Sequence, residues 1–123
     1  MTIEYHEPPS ELSQETRDVH RALTTLVEEL EAVDWYHGRA ELAGDAELKA
    51  MLIHHRDEEI EHAAMAIEWL RRRMPEFDEE LRTYLFTNAP LLEVEEAAET
   101  GESIDGGAEK PKSGDLGIGS LKS

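Results

Sequence analysis

Residues 46–73 read AELKAMLIHHRDEEIEHAAMAIEWLRRR, and this stretch decides the fold class. Glu, Leu, Ala, Arg and Met dominate it, and no β-branched residues alternate with polar ones, so the pattern is helical. Gly44-Asp45 ahead of it offers a stop and a fresh N-cap. Pro75 behind it breaks the helix or opens the next one. Arg71, Arg72 and Arg73 complement the negative end of the helix dipole. A helix is therefore predicted over about Ala46 to Arg73. Its apolar stripe is Leu48, Met51, Leu52, Ala63, Ala66, Ile67 and Leu70.

The flanking sequence has the same character. On the N-terminal side, Ser10 or Ser13 can cap a first helix expected to run to about His37, with Gly38 as its stop. Ala22, Leu23, Leu26, Val27, Leu30 and Val33 form its broad stripe. On the C-terminal side, a third helix over about Glu76 to Phe86 places Phe77, Leu81, Tyr84 and Leu85 together. Pro90 ends it, and Leu91 to Ala98 are expected to form one or two further turns. The fold expected is all-α: an antiparallel two-helix hairpin plus a short third helix. A hairpin buries only one stripe per helix, so pairing into a four-helix bundle and an obligate oligomer are expected.

Twelve Lys and Arg stand against twenty-nine Asp and Glu, for a net charge of −17 over 123 residues. That length allows one small core. The charge argues against nucleic acid and against anionic membrane surfaces, and is compatible with cations. There are no cysteines, which excludes disulfides, thiolate metal sites and cysteine nucleophiles. No apolar run is long enough to span a bilayer, and Met1 to Ser10 has neither a basic n-region nor an apolar h-region. A cytoplasmic, cation-handling protein is expected. Composition divides the chain into a flexible N-terminus (residues 1–9), a helical domain (10–100) and a flexible end (101–123) that holds six of the eight glycines.

Glu59-Ile60-Glu61-His62 is the strongest motif. Glu59 and His62 lie at i and i+3 on a face shared with Leu52, Ala63 and Ala66. A carboxylate and an imidazole among apolar residues carry a desolvation cost that a divalent metal would offset. Glu-x-x-His helices, together with single Glu residues from other helices, build di-iron carboxylate sites. In an acidic helix the same spacing also arises on a solvated face. Glu29 sits among Ala22, Leu26, Val33 and Tyr36 on the first helix. It suits the lone carboxylate of such a site, or a stripe edge with its head in water; taken with Glu59 and His62 it favours the metal. One chain supplies one Glu and one Glu-x-x-His, half of a di-iron set, and a symmetric dimer would supply the whole. Glu28 and Glu31, with Trp35 following, form either a carboxylate ring that attracts Fe²⁺ or a plain solvated face. His54, Glu58 and Glu61 lie at i, i+4 and i+7, a further candidate for Ca²⁺ or another divalent cation, though a solvated face is the blander account. His55 falls on the site face, and Tyr36 is placed either to bond a ligand carboxylate or to fill the core. His6, His20 and His37 show no partner pattern. Leu116, Ile118 and Leu121, spaced by glycine and serine, form either a short docking peptide or a disordered end.

Several of these stretches resemble the encapsulated ferritins: Glu28-Glu29-Leu30-Glu31-Ala32-Val33-Asp34-Trp35-Tyr36, Arg56-Asp57-Glu58-Glu59 through His62-Ala63-Ala64-Met65, and Leu81-Arg82-Thr83-Tyr84-Leu85-Phe86. The tail Asp115-Leu116-Gly117-Ile118-Gly119-Ser120-Leu121 resembles the targeting peptide that directs cargo into encapsulin nanocompartments. The resemblance covers most of residues 15–123. It implies a ferritin-like four-helix bundle formed by dimers, ring-shaped decamers, and residence inside an encapsulin shell that supplies the mineral store. It implies that Glu29, Glu59 and His62 are di-iron ferroxidase ligands and that Glu28 and Glu31 are metal-entry residues beside Trp35. By the same resemblance Tyr36 lies behind the ligands, and His54, Glu58 and Glu61 form an accessory cation site. The expected function is a ferroxidase that oxidises Fe²⁺ with dioxygen; a non-catalytic cation-binding or structural cargo protein is the alternative.

Overall fold

Ser13 starts the first helix: its side chain accepts a hydrogen bond from the Thr16 N–H at 3.0 Å. The helix it opens, α1 (Gln14–Leu42), runs 29 residues, about 43 Å. Asp45 does the same for α2 (Ala46–Arg73), accepting from the Leu48 N–H at 2.9 Å. Those bounds coincide with the sequence reading. The computed structural model describes residues 3–101. All regular structure among them is helical, and none of the described helices is long and apolar enough to cross a membrane.

The end of α1 departs from expectation. The helix passes through Gly38 and stops at Leu42 rather than near His37. A glycine inside a helix costs only about 1 kcal/mol against alanine. Beyond it, Ala40 is buried at 3% exposure where α1 packs against α2. Continuing the helix to bury Ala40 outweighs the glycine penalty, and Ala43 to Asp45 make the turn instead.

The described chain divides at Pro75 into two units. The first is the α1–α2 hairpin with a 3₁₀ turn, Pro9–Glu11, ahead of it. Arg17 Nη1 donates to the Pro9 carbonyl at 3.0 Å, and the Tyr5 ring stacks on His20 at 3.8 Å. At the far end of α2, Glu68 is gripped by Arg71 and Arg72 at 2.7–2.9 Å. The hairpin fully buries few side chains: Ala40, Leu52, Ala63 and Leu70. Leu48 and Met51, on the apolar stripe read from sequence, stand 42% and 47% exposed. They lie on a flank of α2 that this single pairing does not cover.

The second unit holds α3 (Pro75–Tyr84) and α4 (Leu91–Thr100). Pro75 occupies the first helical position, where its missing N–H costs nothing. Helix α3 ends before the expected Phe86, because Phe86 adopts a left-handed φ of 63° and stands 72% exposed. Helix α4 is longer than the one or two turns expected. The Pro90 carbonyl accepts from Glu93 and Val94 at its start. Gly101 closes it at φ 81°, the left-handed cap that glycine adopts without strain.

Candidate metal centre

Helical spacing sets Glu59 and His62 on one face of α2, one turn apart. The antiparallel register of the hairpin then brings Glu29, midway along α1, opposite them. The His62 Nδ1 lies 3.4 Å from the Glu59 Oε1 and 3.6 Å from the Glu29 Oε1. One ligand atom from each of the three residues falls within 4.8 Å of the others, and among the described residues no other group of three does so. The two carboxylates are mostly enclosed, with side chains 22% and 24% exposed, while the imidazole is 49% exposed.

The electrostatics of the trio follow from two acids held together. The pKa of Glu29 is raised, first by a hydrogen bond shared with Glu59, then by burial, then by the Glu59 charge; His62 pulls the other way. Two carboxyls held close together in a half-buried site form an arrangement that a divalent cation relieves. The donor set fits one. Two donors each about 2.1 Å from a common ion and separated by a tetrahedral angle lie about 3.4 Å apart, close to the spacing of His62 from its two neighbours. Oxygen and imidazole donors suit Fe²⁺, as they do Zn²⁺, Mn²⁺ and Co²⁺.

The other candidate residues divide into those the structure brings together and those it leaves separate. His54 Nε2 meets the Glu58 Oε2 at 3.2 Å, both side chains more than half exposed. Glu61 does not complete a three-donor cluster with them. Glu28 is exposed and Glu31 half-buried on α1, and Trp35 is 52% exposed. Tyr36 meets the edge of His55, ring centroids 5.4 Å apart, and carries the Arg39 guanidinium over its ring at 5.4 Å. Leu116, Ile118 and Leu121 lie outside the described residues.

Sequence reasoning placed Ala22 and Ala66 beside the trio but missed the rest of the surroundings. An open groove of about 490 Å³ runs from the trio along the hairpin. Beyond Glu29 and His62 it is lined by Asp18, Arg21, Ala22, Thr25, Met65, Ala66 and Trp69. Met65 and Trp69 sit three and seven residues after His62, and Thr25 sits four before Glu29. Extending the helical period from each candidate ligand would have found them. His37, without a pattern in sequence, receives Arg56 Nη1 on its Nδ1 at 3.1 Å from the opposite helix.

The family described as EncFtn-like matches residues 4–88. A ferritin-like protein of Thermotoga maritima is 52% identical over 121 residues, spanning 98% of this chain and 100% of the relative. An encapsulated ferritin-like protein of Rhodospirillum rubrum is 52% identical over 121 residues, spanning 95% of this chain and 86% of the relative. The crystal structure of a Nitrosomonas europaea protein, 61% identical, matches with a TM-score of 0.70 over 72% of this chain and 98% of its own.

Proposed function

The chain belongs to the EncFtn-like family, and on that premise we propose that it is a ferroxidase that oxidises Fe²⁺ to Fe³⁺ with dioxygen. The observation that carries this reading is the convergence of Glu29, Glu59 and His62 within 4.8 Å. Iron is the substrate: each Fe²⁺ gives up one electron, and dioxygen accepts them. The residues hold the ion, and their two carboxylates stabilise the added charge of the ferric product.

A single hairpin offers one Glu and one Glu-x-x-His. The centre is completed by a second copy that brings the same three residues across a twofold axis, so that two irons lie together. Supporting this, the hairpin alone leaves Leu30, Trp35, Met51, Ile60 and Met65 about half exposed or more, surface that a partner helix pair would cover. The family resemblance extends the pairing to a ring-shaped decamer. Glu28 and Glu31 guide Fe²⁺ inward beside Trp35, Tyr36 steadies the ligands from behind, and His54 with Glu58 and Glu61 takes an accessory divalent cation. Residues 101–123 act as a linker and targeting peptide that docks Leu116, Ile118 and Leu121 on an encapsulin shell, so the protein works inside that compartment in the cytoplasm. The relative named as encapsulated supports this placement.

Mixing Fe²⁺ with the aerobic protein and following ferric absorbance tests the assignment of roles. Glu59→Ala and Glu29→Ala should lose most of the rate with helicity kept. Glu28→Ala and Glu31→Ala should slow oxidation without abolishing it. Four variants behaving alike would contradict the division between oxidation centre and entry path. Tight divalent binding without any oxidation would favour a non-catalytic cation carrier.

A further inference from the structure

Met65 stands 64% exposed, the most open methionine side chain among the described residues. It lies one helical turn after His62 and lines the same groove as His62 and Glu29. Along the α2 axis, three residues separate it from His62, about 4.5 Å. A thioether is only a weak acceptor and a soft ligand, but it is a good two-electron nucleophile toward peroxides. We infer that Met65 is an oxidation site, converted to methionine sulfoxide by hydrogen peroxide formed at the Glu29–Glu59–His62 centre.

The inference rests on the ferroxidase reading. Two Fe²⁺ give two electrons to one dioxygen, which takes up two protons and becomes hydrogen peroxide. A sulfur lone pair of Met65 attacks one peroxide oxygen. The O–O bond breaks, an S–O bond forms, and the second oxygen leaves as water. The side chain is oxidised by two electrons and the peroxide is reduced by two. Covering the groove with a second copy would not protect Met65, because the oxidant arises beside it. The product is polar where the parent was apolar, and sulfoxide reductases can reverse the change.

Met51 is an internal control. It sits on the same helix, 47% exposed, outside the groove, and eleven residues from His62, about 16 Å along the axis. Both methionines are open on the single hairpin, Met65 at 64% and Met51 at 47%, so the metal-free protein supplies the reference for their relative oxidation. Trypsin separates the two on peptides 50–56 and 57–71, so each sulfoxide can be weighed by mass spectrometry. Hydrogen peroxide added to the metal-free full chain gives the reference ratio of the two sulfoxides. Aerobic turnover of Fe²⁺, with oxygen uptake recorded in the same sample, should raise the ratio several-fold above it. Glu59→Ala should return it to the metal-free value. Oxygen uptake by the wild type with no rise in the ratio would overturn the oxidation site and leave the ferroxidase reading standing. No oxygen uptake would overturn the ferroxidase reading, and this one with it.

Discussion

Among the described residues, two clusters shift a carboxyl pKa through close contacts. The first is the trio, where two enclosed carboxyls raise the pKa of Glu29. The second is Glu68, whose carboxyl is lowered from 4.5 to about 2, first by its hydrogen bond with Arg71; burial, the next largest effect, opposes this, and Arg72 adds to the lowering. A folded-state pKa below the unfolded value means the unfolded chain binds the proton more readily. The stabilisation is therefore fully present above pH 4.5 and is lost as pH falls toward 2. With the Glu68 side chain 41% exposed, solvent screening holds its worth to about 1 kcal/mol or less. Glu68→Gln should melt lower than wild type near neutral pH, and the gap should narrow from pH 4.5 downward. A gap independent of pH would mean the pair contributes through packing and not through charge. The spacing of Glu59 and His62 was legible from sequence because a helix fixes it. The Arg56–His37 and Tyr36–His55 pairs were not, since each depends on the cross-hairpin register, which no local pattern specifies.

At the scale of the element, α2 was legible to the residue because both ends carry strong local signals, the Asp45 cap and the Arg71–Arg73 run before Pro75. Helix α1 was misread at its end because glycine is only a weak breaker where packing continues beyond it. The same fact yields a prediction. An added Cβ at Gly38 meets nothing within 4 Å, and the residue is helical and exposed. Gly38→Ala should therefore stabilise the hairpin by about 0.4–1 kcal/mol, read as a higher melting temperature. A loss of stability would show that the site is crowded by a neighbouring chain. Conversely, Leu70 is fully enclosed at 0% exposure, so Leu70→Ala should cost about 2–5 kcal/mol. Leu48 and Met51 were legible as part of an apolar stripe, but periodicity does not say which partner covers it.

For the whole molecule, the proposed function ties the thin core and the single Glu-x-x-His to one account, in which the working unit is larger than one hairpin. If the metal centre bridges two copies, Fe²⁺ binding and assembly are linked, and iron should shift the population toward larger species. Native mass spectrometry with and without Fe²⁺ checks this, and identical distributions would argue against a shared centre. The last residues carry a separate role in this account. Deleting Asp115 to Ser123 should abolish loading into a co-expressed encapsulin shell and leave iron oxidation by the free protein nearly unchanged, because no proposed ligand lies there. The central claim is that Glu29, Glu59 and His62 make an iron-oxidising centre. An oxygen electrode, with Fe²⁺ added to wild type and to His62→Ala at equal protein concentration, tests it most directly. The account predicts rapid oxygen uptake by wild type and uptake by His62→Ala no faster than iron in buffer alone. Equal uptake by the two proteins would contradict it.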